Sequence, residues 1–185
     1  MDNRLTILLD CDDTISVFMQ TCIETYNKIY GTNHSIEEIT DWDISGIFEH
    51  RLWSIFDKCD VLQHMPIKDG AFEIIKKWHE LGHKIIIVTG VHNVESYADK
   101  LRWLELTGLK PYIYEVVPTR HKEIINGDIF IDDNADYLRE WSKHHDGLAL
   151  LMTAQHNKNK PELNQEFSRV DTWAQINEIV EIYTK

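Results

Sequence analysis

Hydrophobic and polar positions alternate between two periods along the chain. Leu5-Thr6-Ile7-Leu8-Leu9 is a short, nearly continuous apolar run, which predicts a buried strand. It stops abruptly at Asp10-Cys11-Asp12-Asp13-Thr14. Beyond Thr14 the spacing changes to three and four. Ile15, Phe18, Met19, Cys22, Ile23, Tyr26, Ile29 and Tyr30 predict an amphipathic helix, with Gly31 at its C′ position. Ser35-Ile36-Glu37-Glu38 reads as a capping box that opens another short helix. After Asp41-Trp42-Asp43 a helical pattern resumes through Phe48, Leu52, Ile55 and Phe56, so residues 15–65 read as all-helical up to Pro66.

From Asp69 onward helix and strand alternate. Asp69 is predicted to cap a helix through Ala71, Ile74, Ile75, Trp78 and Leu81, which Gly82 ends. Asn93 is predicted to cap a helix through Val94, Tyr97, Ala98, Leu101 and Leu104. Thr172 is predicted to cap the last helix, through Ile176, Ile179, Val180 and Tyr183. Strands are expected at 84–89, 113–117, 129–131 and 148–152, and the polar stretch 153–165 reads as a loop. This alternation predicts an α/β fold with a doubly wound parallel sheet and right-handed crossovers. The expected core comprises residues 1–14 and 66–185. The expected small helical cap, 15–65, is inserted after strand 1, over the C-terminal edge of the sheet, where a lid would sit.

Composition narrows the partners. The chain has 185 residues, 43% of them hydrophobic, which suits one core with a small insertion. A formal net charge of −12 argues against generic binding to a nucleic acid polymer or an anionic membrane. It leaves room for a small anionic substrate, because a metal ion or one buried lysine reverses the local field. Cysteines at 11, 22 and 59 form no CxxC pair and no even framework, which fits a reducing compartment. No apolar run approaches the ~20 residues that span a bilayer. Met1-Asp2-Asn3-Arg4 enters the first strand at once, so no signal peptide is expected and the expected location is cytoplasmic. A monomer and a homodimer fit these features equally.

The candidate chemistry lies where strands end. An isolated D-x-D after an apolar run is ordinarily a solvated acidic turn. Here Asp10-x-Asp12 ends strand one, Thr89-Gly90 ends strand two, Asp132-Asp133 ends strand four, and Lys122 lies shortly before strand four. In a parallel sheet these ends share one edge, so the set converges on one pocket. It suits phosphoryl transfer. Asp10 would attack phosphorus and form an aspartyl-phosphate. Asp12 would protonate the leaving oxygen and then activate water. Mg2+ needs only one or two carboxylates beside phosphate and waters, which Asp10 and one of Asp132 and Asp133 would supply, with the Asp12 carbonyl as a further ligand. Thr89 and the Gly90 amide would hold phosphate oxygens, and Lys122 would offset the charge of both aspartate and phosphoryl group.

The order D-x-D-x-T, strand-Thr, Lys, strand-Asp-Asp resembles the haloacid dehalogenase superfamily of phosphatases. Within it the chain is similar to the 5′(3′)-deoxyribonucleotidase (cytosolic type C nucleotidase) family. The closer match rests on Asp10-Cys11-Asp12-Asp13-Thr14, Thr40-Asp41-Trp42-Asp43, Thr89-Gly90 and Thr119-Arg120-His121-Lys122 leading into Gly127 to Asp133. It covers residues 5 to 150. The resemblance implies a Mg2+-dependent enzyme that dephosphorylates nucleoside monophosphates, with preference for deoxyribose. It implies Asp10 as nucleophile, Asp12 as acid/base, Thr89 and Lys122 as phosphate ligands, and Phe18 as an aromatic against sugar and base. Asp133 is implied as the metal ligand of the acidic pair. Asp132 is a second ligand or a support, a choice that spacing leaves open. One departure is Asp13, where the family commonly has Gly; it is read as a bystander.

Other readings weigh less. A phosphorelay receiver would place its acidic pair first and its lysine last, the reverse of Lys122 before Asp132-Asp133. No Cys-x5-Arg or Walker P-loop is present. Two alternatives remain on this scaffold: a phosphatase for another small phosphate ester, and a silent phosphate-binding module. His144-His145 reads as solvated or as a helix C-cap rather than a metal site. Trp78, Trp103, Trp141 and Trp173 read as core. Trp42, Trp53 and Phe48 in the insertion either pack its own core or stack on a base. Arg120 suits substrate contact and plain surface equally.

Overall fold

The protein's computed structural model describes residues 3–44, 46–48, 52–55 and 60–184. One sheet runs through it, in the order β3-β2-β1-β4-β5-β6, with every neighbouring pair parallel. Its strands are β1 Thr6–Leu9, β2 Lys84–Thr89, β3 Glu115–Pro118, β4 Ile129–Asp132, β5 Leu148–Met152 and β6 Ser168–Val170. The helices are α1 Phe18–Tyr30, α2 Ala71–Glu80, α3 Val94–Leu106, α4 Ala135–Ser142 and α5 Trp173–Tyr183.

Successive strand residues face opposite sides, and both sides are covered. Ile7, Leu9, Ile85, Ile87, Ile129 and Ile131 join one core with residues of α1, α2, α3 and α5. Leu8, Val88, Phe130 and Leu151 join a second with Leu138 and Trp141 of α4. Trp78, Trp103, Trp141 and Trp173 are each at most 1% exposed, so all four are core as expected. Gly127 shows how tight the second layer is: a Cβ there would lie 2.7 Å from Leu8 Cγ. The chain winds from β1 outward to β2 and β3, then returns to β4 on the other side of β1. That reversal is the topological switch point, where the C-terminal ends of β1 and β4 open a crevice.

Four expectations shift. β6 was missed, because three residues with a polar start carry too little periodicity to read. The third strand begins two residues later than expected, at Glu115. Gly70, at φ 79°, rather than Asp69, caps α2. Among the described residues of 15–65, only α1 is an α-helix; the rest forms 3-10 turns at Ile36–Glu38, Leu52–Ile55 and Val61–Gln63. The Ser35–Glu38 capping box is present, but the chain is extended again at Ile39, with no apolar repeat behind the cap to sustain a helix. Phe56 and Cys59 lie outside the described residues. Gly31, at φ 65°, ends α1 as its C′ position requires.

The two ends of this insertion are tied together. Val17 N–H donates to Pro66 O (2.8 Å), Lys68 N–H donates to Ile15 O (2.8 Å), and Ser16 and Ile67 form an antiparallel bridge. Trp103 Nε1 donates to Met65 O (2.7 Å) and Trp173 Nε1 to Thr14 O (3.1 Å), so two core tryptophans grip the loop ends. Cys22, Ile23, Tyr26, Phe48 and Leu52 of the insertion join the same core as the sheet. Among the described residues, no helix is long and apolar enough to cross a membrane.

Candidate active site

Asp10 follows β1 directly. Its N–H donates to Ile131 O (2.9 Å), which continues the β1–β4 ladder and fixes the carboxyl at the switch point. Lys122 opens a 3-10 turn before β4 and is 2% exposed. Its Nζ donates to Asp10 Oδ1 (2.6 Å) and Asp132 Oδ2 (2.7 Å), and lies 4.4 Å from the Tyr137 ring centre. Burial works against this charge, but Asp10 and Asp132 outweigh it and hold Lys122 above the ordinary lysine range. Asp132 Oδ1 accepts from Asn134 N–H (2.8 Å), and Asn134 caps α4, accepting from Asp136 N–H (2.9 Å). Both oxygens of Asp132 are therefore engaged.

Asp133 differs. Its carbonyl accepts from Asn157 Nδ2 (2.8 Å) and His156 Nε2 (3.0 Å), while its buried Oδ1 has no partner. Burial pushes the His156 imidazole down to about 4, so it stays neutral with its proton on Nε2, the atom facing that carbonyl. Asp10, Asp132 and Asp133 each bring one carboxylate oxygen within 4.8 Å of the others, the arrangement a hard cation needs.

The Asp12 carboxylate lies outside that group. Lys100 of α3, 3% exposed, holds it. Lys100 Nζ donates to Asp12 Oδ2 (2.7 Å), Thr89 Oγ1 (2.6 Å) and Gly90 O (3.2 Å). An ammonium has three N–H bonds and here three acceptors, so Lys100 has none left for a ligand. It fastens the acidic loop after β1 to the end of β2. Asp12 Oδ1 remains buried and unpartnered. Burial raises Asp12 against the pull of Lys100 and raises Asp132 to about 7 against that of Lys122. It also lifts Asp133 well up, where Asp10 and Asp132 add to the effect. The carboxylates thus outnumber the ammonium groups of Lys100, Lys122 and the nearby Lys68, and burial offsets part of that excess by favouring the protonated acids.

Asp13 is no bystander. It is the one non-glycine among the described residues in the left-handed region, at φ 53°. That turn aims its carboxylate at the start of α1, where Oδ1 accepts from Phe18 N–H (3.0 Å) and Met19 N–H (3.2 Å). Val17, the residue before the helix, supplies no side-chain cap. Asp13 satisfies these orphan donors from a distance and complements the helix dipole.

These groups line a cavity of about 250 Å3. Its floor is Asp10, Asp12, Lys122, Asp132 and Asp133, and its walls include Asp13, Phe18, Met19, Trp42, Gly90, Arg120, Tyr137 and His156. Seven of the eight residues expected from the sequence reach this cavity. Thr89 does not: it is 1% exposed, absent from the lining, and committed to Lys100. At Gly90 a Cβ would meet only Arg120 Cγ, at 3.9 Å, so the protein's own packing does not demand glycine there. His145 stacks on Trp141 (4.8 Å) and bonds Glu123 O through Nε2 (2.7 Å), a structural role away from the metal-binding geometry.

Sequence reading missed Lys100, Tyr137, His156 and Asn157. Lys100 left a signal. The buried residues of α3 are Ser96, Lys100, Trp103 and Leu104; of the expected face, Leu104 is buried and Tyr97 and Leu101 pack against the core, while Val94 is 77% exposed. A lysine in the stripe set by Trp103 and Leu104 needs a buried partner. His156 and Asn157 left none, because their partner is a backbone carbonyl.

Comparison with known proteins agrees with this geometry. A family described as 5′ nucleotidase, deoxy (Pyrimidine), cytosolic type C protein matches residues 3–185. A 5′(3′)-deoxyribonucleotidase of Clostridium acetobutylicum is 23% identical over 185 residues, spanning 97% of this chain and 96% of its own. A haloacid dehalogenase family hydrolase from Deinococcus radiodurans, solved with bound phosphate and sodium, shares the fold at TM-score 0.68 and 14% identity, covering 99% of this chain and 97% of its own. A Streptococcus pneumoniae hydrolase does so at TM-score 0.60 and 12% identity, covering 95% and 97%. The family match spans nearly the whole sequence, so this chain belongs to the cytosolic type C 5′ (deoxy)nucleotidase family of phosphoric monoester hydrolases, on a haloacid dehalogenase-like fold.

Proposed function

We propose that the protein hydrolyses (deoxy)ribonucleoside monophosphates through an aspartyl-phosphate on Asp10. The observation that carries this is the buried trio Asp10, Asp132 and Asp133 at the switch point, with Asp12 held two residues beyond the nucleophile. A carboxylate oxygen of Asp10 attacks phosphorus in line with the ester oxygen. The P–O bond to the nucleoside breaks, and Asp12, in its protonated form, gives its proton to the departing alkoxide. Burial favours that form, and Lys100 keeps the carboxyl aimed rather than free to swing. Asp12, now ionised, takes a proton from water, which attacks the acyl-phosphate and releases inorganic phosphate and free Asp10. Lys122, beside Asp10, supplies positive charge to the transferring group.

The residues present fit Mg2+. The unpartnered Oδ1 of Asp133 and the excess of carboxylates over ammonium groups both suit a divalent cation. Asp10, Asp133 and the Asp12 carbonyl would hold it, with Asp132, already bound at both oxygens, in support. Bound there, the ion supplies neutralising charge to phosphoryl oxygens. Phosphate contacts fall to Lys122 and the Gly90 backbone. Thr89 contributes by orienting that segment through Lys100.

Residues 15–65 act as the cap over the leaving group, with Phe18, Met19 and Trp42 facing the cavity. The nucleoside reading rests on those side chains and on the named activity of the Clostridium acetobutylicum relative. Phosphate release from a panel of nucleoside monophosphates and from acetyl phosphate, with Mg2+ and with EDTA, tests it. Release from neither overturns the phosphatase reading; release from acetyl phosphate alone overturns the nucleotide reading.

A further inference from the structure

The turn after β5 belongs to no expected motif, yet it touches both halves of the cavity. Residues 154–160 are locked from several sides. Asn157 Oδ1 accepts from Ala154 N–H (3.1 Å) and from Arg169 Nη1 (2.8 Å). Asn157 Nδ2 donates to Met152 O (2.9 Å) and Asp133 O (2.8 Å). Arg169 Nη2 also donates to Lys160 O (3.1 Å). The turn is therefore a rigid support and not a loose loop.

His156 leaves this support toward the cavity and is 8% exposed. One side of its ring faces Asp133: Nε2 donates to the carbonyl (3.0 Å) and lies 3.8 Å from Oδ2. The other contact is with the insertion, where the Trp42 ring meets it edge-on at 5.0 Å and 78°. Trp42 is 53% exposed although it lines the cavity, so it has a large free aromatic surface and little packing of its own. Next to it, Lys160 Nζ donates to Asp41 Oδ1 (3.0 Å), a second tie between the same two segments.

We infer that His156 is a positioning residue for leaving-group selectivity: it holds Trp42 as an aromatic wall that a flat nucleobase stacks on, with the Asp41–Lys160 pair closing the contact from outside. This rests on the nucleotide reading above. Two features of His156 can be separated. The ring braces Trp42, while the Nε2–H serves the Asp133 carbonyl, which Asn157 also serves. If selectivity is the role, the ring matters and the donor does not.

The experiment compares kcat/KM for a deoxyribonucleoside 5′-monophosphate with that for acetyl phosphate, whose leaving group has no ring. His156→Gln keeps a donor at the reach of Nε2 but loses the ring, and should lower the nucleotide-to-acetyl-phosphate ratio about tenfold, mostly through KM. His156→Phe keeps a ring and should hold the ratio within about twofold. In a Trp42→Ala background, His156→Gln should lower the ratio no further, because the wall it braces is gone. Additive losses in the double variant, an unchanged ratio in His156→Gln, or a parallel fall for both substrates would each overturn the inference, the last by showing action through Asp133. If wild-type protein hydrolyses neither substrate, the parent reading fails instead.

Discussion

The two ends of the cavity are built on opposite terms. At the phosphate end, charges stand on strand ends and a core helix. Lys122, Lys100, Asp10, Asp132 and Asp133 are all at most 5% exposed, and each lysine is tied to at least two acceptors. At the leaving-group end, the wall comes from the insertion, and its outermost tie, Asp41–Lys160, has side chains 66% and 34% exposed. Breaking a buried pair leaves an uncompensated charge and costs about 3–5 kcal/mol, whereas an exposed pair contributes about 0–1 kcal/mol. On the proposed mechanism, the chemistry therefore sits where geometry is costly to disturb. The proposed selectivity sits where one substitution shifts a wall without unfolding the protein.

That contrast can be broken most severely at Asp10. Asp10→Asn should lower phosphate release by at least about 10^3-fold while circular dichroism still shows a folded chain. Near-wild-type turnover would remove the nucleophile from the scheme. Lys122→Met comes next. It strands Asp10 and Asp132 together, so urea unfolding should show a loss of about 3–5 kcal/mol along with lost activity. A loss below about 1 kcal/mol would mean that the phosphate end is no costlier to disturb than the rim.

Metal sharpens the same point. Mg2+ at a hundred times its dissociation constant should raise stability by about 2.7 kcal/mol, and EDTA should abolish both the gain and the turnover. In Asp133→Asn the gain should shrink markedly, since that residue holds the unpartnered oxygen. An undiminished gain in this variant would move the ion elsewhere.

Smaller effects belong to the other end. Asp13→Gly should lose the tie to Phe18 and Met19 and speed hydrogen exchange at those two amides, while relief of the left-handed backbone offsets the lost cap of about 1 kcal/mol and leaves global stability nearly unchanged. Asp13→Asn keeps an acceptor in a conformation that asparagine tolerates, and should retain their protection. Equal exchange in both variants would show that charge, not the cap, is what matters. Asp41→Asn should be the mildest, within about 1 kcal/mol in stability and weaker still at high salt.

What the sequence determined by itself is the frame. Apolar runs ending in acid placed Asp10, Asp12, Asp132 and Asp133 on one sheet edge, because strand periodicity and parallel winding are local and topological facts. Capping chemistry at Asn93 and Thr172 was legible for the same reason. Tertiary structure decided the rest. Thr89 left the cavity wall because Lys100, eleven residues on, claims its hydroxyl. Asp13 became a helix cap because its backbone turns left-handed. His156 reached Asp133 and Trp42 because the turn after β5 folds back over the edge of the sheet. Each depends on where a side chain points across a packed interior, and periodicity along the chain carries no record of that direction.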